Sequence, residues 1–221
     1  MAQVYVPHIH IKLGLYLTNG LDYAVAEAEG PEEIFRILLE FSDNIPDKVD
    51  LLDNCGAGFL MSFLGNKNQK EDIDNCILAY DSALHLTPQG HPDMSRRMNI
   101  LGASYYHRFN LTGDPSNISK AILYQQKALD LTPEGHADMP TNLNDLGLSF
   151  LSRFECTGNF SDISDAISYQ QKAHHLTPEG HPDLPMYLNN IGYSFRHRFE
   201  CTGDLADIFD AISYKDRKSV V

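Results

Sequence analysis

A repeat constrains this chain more than any other feature. The text beginning at Leu131, LTPEGHADMPTNLNDLGLSFLSRFECTGNFSDISDAISYQQKAHH, returns in edited form at Leu176 and already stands at Leu86, so the period is 45 residues. A fixed period of this size belongs to stacked-repeat architectures, in which a unit buries its apolar face only against its neighbours. Such an array implies binding; the repeat by itself does not say what is bound.

Each unit holds two segments of helical spacing. Leu143, Leu146, Phe150 and Phe154 recur at i, i+3, i+7 and i+11, with Gly147 on the same stripe. Leu188, Ile191, Phe195 and Phe199 repeat that spacing, as do Met98, Leu101, Tyr105 and Phe109. This is one apolar helix face and not the alternation of a strand. The second segment carries Ile118, Ala121, Ile122, Ala128 and Leu131, then Ile163, Ala166, Ile167 and Ala173. It opens at Asp114-Pro115, Asn159-Phe160 and Asp204-Leu205, where an acceptor side chain precedes the first helical residue. Thr-Gly pairs at 112–113, 157–158 and 202–203 supply the turn between the helices. The first helix starts near Asp93, Asp138 and Asp183, and Thr-Pro-Glu/Gln-Gly ends the helix before it. The pattern predicts an all-α solenoid of antiparallel helix pairs, with helices of about 17 residues and roughly 25 Å.

These residues resemble the tetratricopeptide repeats. The family's Leu-Gly, aromatic, Ala, Ala and Pro stand here as Leu101-Gly102, Tyr105, Ala121, Ala128 and Pro133, then as Leu146-Gly147, Phe150, Ala166, Ala173 and Pro178. A third copy gives Ile191-Gly192, Phe195 and Ala211. The family unit has about 34 residues, so each unit here is longer, with extended helices and a longer linker. In its long period and its His-Pro-Asp text the array is also similar to kinesin light chain repeats and to fungal repeat proteins that often carry a caspase-like CHAT protease domain. The resemblance covers about three-quarters of the chain. It implies a right-handed superhelical solenoid that binds a protein or peptide in its concave groove. Alternatives are a regulatory or sensor portion of a larger CHAT-type protease and a self-assembling structural solenoid.

The domain reading follows the period. The array is expected over 46–215, as 46–90, 91–135, 136–180 and a truncated 181–215. Residues 1–45 fit less cleanly. Ile9, Ile11, Leu13, Leu15 and Leu17 alternate like a strand, but a lone strand has nothing to pair with in a solenoid, so the segment is read as a degenerate helical hairpin with its second helix opening at Pro31. Residues 216–221 break the repeat mid-helix and match what a sequencing adapter encodes in frame, so they are expected to be a non-native tail with more coding sequence beyond. Without a capping helix this C-terminal end is a surface for self-association.

Charge and motif content narrow the function. Lys+Arg 17 against Asp+Glu 30 gives a net charge of −13, which argues against nucleic acid and anionic membranes and favours basic partners. No signal peptide or spanning run is evident, which places the chain in the cytoplasm. No phosphate loop, His-Glu-x-x-His or Gly-x-Ser-x-Gly occurs, so no catalytic residues and no cofactor are assigned. No metal is assigned either: His8 and His10 lack a third ligand, and His91, His136 and His181 stand a full repeat apart. Gly56-Ala57-Gly58 resembles a nucleotide-binding loop but lies inside a helix, where Gly56 has a packing role. Cys55 and Cys76 occupy packing positions, and Cys156 and Cys201 are one repeat apart, too far for a disulfide.

The working surface is read from the resemblance. In tetratricopeptide repeats the residue two before the Leu-Gly leucine faces the groove, and here it is Asn99, Asn144 and Asn189. Positions further along the same helix include Ala103, Leu148, Tyr193, His107 and His197. An asparagine offers both donor and acceptor and clamps an extended backbone without demanding a sequence. Specificity then falls to neighbours such as Arg96, Tyr193 and Arg196. The alternative is that the asparagines bond to adjacent helices and only hold the array together.

Overall fold

The computed structural model describes residues 31–40, 48–65 and 69–218. All of the secondary structure among them is helical: α1 Pro31–Glu40, α2 Lys48–Gly65, α3 Lys70–Leu86, α4 Met94–Thr112, α5 Pro115–Leu131, α6 Met139–Thr157, α7 Phe160–Leu176, α8 Leu184–Thr202 and α9 Leu205–Lys218. The chain divides into two compact units at Thr112/Gly113. In the first, α1 packs on α2, α2 on α3 and α3 on α4; in the second, each of α5 to α9 packs on the next, and α6 also touches α8. The helix at Pro31 is present; Leu13-Gly14, the alternating run 9–17, His8 and His10 lie outside the described residues, as do 219–221.

Local chemistry explains where the helices start and stop. Asp114 Oδ1 accepts from Ser116 N at 2.9 Å, Asn159 Oδ1 from Ser161 N at 3.1 Å and Asp204 Oδ1 from Ala206 N at 2.9 Å. Each satisfies an amide that the first helical turn leaves open, so α5, α7 and α9 begin at the residue after the cap. Gly158 and Gly203 close α6 and α8 in the left-handed region, with φ of 69° and 71°, and donate N–H to the carbonyls of Phe154 and Phe199. Asp138 and Asp183 precede α6 and α8 without capping through their carboxylates. Their own amides donate instead to Nδ1 of His136 and His181 at 3.2 Å, as Asp93 does to His91. The repeated histidine thus shapes the linker turn.

The apolar stripes form the core. Leu143, Leu146, Phe150 and Phe154 are buried, as are Leu188, Ile191 and Phe195, and Leu101, Tyr105 and Phe109. Ile118, Ala121, Ile122 and Ala128, and their counterparts Ile163, Ala166, Ile167 and Ala173, are buried opposite them. Leu131 departs from the stripe and is 49% exposed. It ends α5, and the next residue, Thr132, turns inward instead, donating Oγ1–H to the Ala128 carbonyl at 2.7 Å. Thr87 and Thr177 do the same to Ala83 and Ala173.

Glycine marks the close approach of paired helices. A Cβ on Gly147 would lie 2.7 Å from Gln170 Cγ and 3.1 Å from the Ala166 carbonyl oxygen of α7. One on Gly56 would meet the Tyr80 ring at 2.6 Å. A Cβ elsewhere gives helices more clearance, so the glycine lets α6 sit down on α7.

Polar contacts then lock each pair. Arg153 of α6 forks onto Asp162 of α7 at 2.8 and 2.6 Å, and Arg198 of α8 onto Asp207 of α9 at 2.9 and 2.6 Å. Each guanidinium also lies over a phenylalanine, Phe150 at 5.1 Å and Phe195 at 5.2 Å, and each ring stacks on a tyrosine, Tyr169 or Tyr214. The bidentate geometry fixes direction as well as energy. In the first unit a buried charge takes a packing place: Arg97 is 1% exposed and held by Asp53 Oδ1 at 3.0 Å and Thr87 Oγ1 at 3.2 Å. Asn142 occupies the same repeat position and donates to Thr132 Oγ1 at 3.0 Å.

Candidate functional site

The first helices of successive repeats, α6 and α8, run side by side in the second unit and are tied by side chains along their length. The Thr141 and Tyr187 hydroxyls meet at 3.2 Å near the N-terminal ends. Asn190 Nδ2 donates to Asn144 Oδ1 at 2.9 Å one turn on. Towards the C-terminal ends the Tyr193 hydroxyl donates to Glu155 Oε1 at 3.4 Å, and His197 Nε2 stands 3.6 Å from the same oxygen. That nitrogen is buried and just beyond hydrogen-bond reach of the carboxylate.

A compact polar and aromatic cluster results. The Tyr193 and His197 rings are 4.3 Å apart between centroids, and the Arg196 guanidinium lies 4.9 Å from the Tyr193 ring. Arg196 also pairs with Glu200 at 3.4 Å, and His197 Nδ1 is 4.0 Å from Glu200. Tyr193 is 40% exposed. Its phenol is pushed up, first by desolvation and then by the Glu155 carboxylate, so the hydroxyl stays protonated and donates. The cluster offers solvent an aromatic edge, two carboxylates and one guanidinium. That set suits a cationic, extended segment better than an apolar or acidic one.

The other expected site residues fall differently. Asn144 is 1% exposed, and its carbonyl oxygen is engaged by Asn190. Asn189, its counterpart on α8, is exposed, and Asn99 on α4 is half-buried. In the first unit Arg96 reaches Asp53 at 2.7 Å. His107 packs its ring 5.3 Å from that of Phe63, and burial holds its pKa below the usual histidine value. Thus Tyr193, Arg196 and His197 come together, while Asn144 is spent between helices. The residues not anticipated are Glu155, Glu200 and Asn190. The two glutamates had a signal, since Phe-Glu-Cys-Thr-Gly recurs 45 residues apart. Asn190 had none, because its role depends on reaching a neighbouring helix.

Among the described residues no three His, Cys, Asp or Glu side chains are grouped to hold a metal ion. No described helix is long and apolar enough to cross a membrane. Cys55 and Cys76 are buried thiols, while Cys156 and Cys201 are exposed, and all four are free.

No family model matches the sequence, and no curated protein matches it. Among solved structures the chain is similar to MamA, with a TM-score of 0.54 and 15% identity over 93% of this chain and 99% of that one. It also aligns with BtubC (BKLC) from P. vanneervenii at 15% identity over 91% of this chain and 90% of that one, with a TM-score of 0.38, too low to bear on the fold. The likeness to MamA, together with the consecutive helix pairs, establishes an all-α helical-repeat solenoid fold. The finer resemblances, to long tetratricopeptide arrays and to CHAT-associated or kinesin light chain repeats, rest on the sequence alone.

Proposed function

We propose that this chain is a protein-interaction scaffold whose α6/α8 face captures a basic, extended peptide segment of a partner protein. The observation that carries the reading is the solvent-facing cluster of Tyr193, Arg196 and His197 with Glu155 and Glu200. A surface devoted only to packing would leave no aromatic 40% exposed amid five polar neighbours within ring or ion-pair distance. Asn189 adds an exposed donor and acceptor on the same helix, able to bond an extended backbone. The net charge of −13 favours basic partners by steering and by the cost of juxtaposing like charges. In the first unit, Asn99, Arg96 and His107 on α4 supply a second set of the same kind.

The test is selection of random 12-residue peptides displayed on phage (a length of about 40 Å when extended) against the immobilised full chain. The reading expects enrichment of Lys- and Arg-containing peptides, lost on Tyr193→Ala combined with Glu155→Gln. Enrichment without charge bias, or retained by the double variant, would set the reading aside.

A further inference from the structure

We infer that the outer face of α9 is a two-fold contact between copies of this chain, centred on Phe209. The face is apolar at i, i+4 and i+7: Leu205 is 62% exposed, Phe209 68% and Ile212 50%. Exposed apolar residues occur singly on any protein, but three in helical register form a stripe. Comparison with the earlier repeats shows that this is not merely a core face waiting for the next helix. The residues one and two repeats before Phe209 are Ser164 and Ser119, both exposed even though α8 and α6 follow them. Each serine turns its hydroxyl back to its own helix, onto the Phe160 and Pro115 carbonyls at 3.0 Å. The repeat therefore keeps this position in water, and only α9 fills it with a phenylalanine. Leu205 likewise sits at a position that stays exposed as Phe160 in α7, at 51%.

The charge pattern of α9 selects its occupant. Asp204 and Asp210 are exposed in its first half, and Lys215 stands in its second half. Asp207 is already forked by Arg198 and turned inward. Two copies of such a helix are complementary when antiparallel. A two-fold axis at Phe209 sets Leu205 of one copy against Ser213 of the second and brings Lys215 beside the second copy's Asp204. Helix dipoles then also oppose favourably, and the contact is isologous and closes at two copies. A helix from a basic partner would answer the aspartates but would meet Lys215 unfavourably. Against the contact stands the net charge of −13 per copy, whose long-range repulsion salt removes. Added salt should therefore strengthen this association, whereas it weakens the binding of a basic peptide to α6/α8.

Sedimentation velocity of the full chain, from about 1 to 300 µM at low and at roughly 0.5 M salt, reads the contact directly. The expected result is a monomer–dimer equilibrium that tightens with salt. Phe209→Ser, which installs the residue the chain itself carries at 119 and 164, weakens it at least about tenfold. Leu123→Ser, at another exposed leucine on α5, leaves it unchanged. Lys215→Glu weakens it as well, by removing the antiparallel pairing. A wild-type chain that stays monomeric across this range overturns the inference, as does a dimer indifferent to Phe209→Ser. Circular dichroism that matches wild type shows that Phe209→Ser is folded; if it is not, Phe209→Gln takes its place.

Discussion

Replacing glycine by alanine at three helical positions tests the close approach of the paired helices. Inside a helix the change is worth about 1 kcal/mol of stabilisation when the new methyl meets nothing. Gly58 of α2 is such a site, with no atom within 4 Å of the added Cβ. At Gly192 the nearest atom is the Ala211 carbonyl oxygen at 3.3 Å, so a shift of a few tenths of an ångström offsets part of the gain. At Gly147 the methyl would sit 2.7 Å from Gln170 Cγ and 3.1 Å from the Ala166 carbonyl oxygen. Neither atom is the free end of a flexible chain. Gln170 is fully buried and its Oε1 accepts from Ser194 Oγ at 2.7 Å, so moving it strains the contact of α7 with α8 as well. Overpacking of this kind costs about 1–3 kcal/mol, which outweighs the propensity gain and leaves Gly147→Ala destabilised by up to about 2 kcal/mol. Gly147→Val adds two more methyl groups and falls further. Urea denaturation of the full chain gives the order Gly58→Ala above wild type, Gly192→Ala near it and Gly147→Ala below it. Equal stabilisation by all three would refute the reasoning, because it would mean that α6 and α7 stand far enough apart for any side chain.

Three further predictions follow from single observations. Cys156 and Cys201 are exposed, whereas burial pushes the Cys55 thiol up to about 12 and that of Cys76 up to about 11, so a disulfide reagent should modify two thiols in the native chain and four after unfolding. Burial lowers the His107 pKa in the folded state, so the unfolded chain takes up the proton first; the stability this site supports is fully present above the unfolded value of about 6.5 and is lost as pH falls below it. His107→Phe should flatten that part of the urea midpoint between pH 7.5 and 5. Asn144→Ala strips the acceptor from Asn190 and should cost about 1–2 kcal/mol, while Asn189→Ala, on an exposed side chain, should stay within about 0.5 kcal/mol in the same urea assay.

How much the sequence disclosed depended on the range of the interaction involved. Helix starts at Pro115, Phe160 and Leu205 were legible because a cap is made with an amide two residues away. Gly147 was legible as a packing glycine because the period repeats it on an apolar stripe. The fate of the three asparagines was not. Asn144 and Asn189 are one repeat apart and chemically identical, yet one is buried by the residue that α8 happens to place beside it and the other is open to solvent. Leu131 continued the apolar spacing but ended its helix, and the small Thr132 took the inward place by bonding to Ala128. Arg97 looked like a surface residue and is buried, because Asp53, forty-four positions earlier, is folded against it. Local rules therefore found the elements, whereas what each face meets was settled by neighbours a repeat away.

The claim that the α6/α8 face recognises basic segments is tested most directly by inverting its charge. The measurement is the peptide selection repeated on the full chain carrying Glu155→Lys and Glu200→Lys, both exposed positions where the change leaves the core intact. The account predicts that enrichment turns from Lys- and Arg-containing peptides to Asp- and Glu-containing ones; an unchanged preference for basic peptides would contradict it.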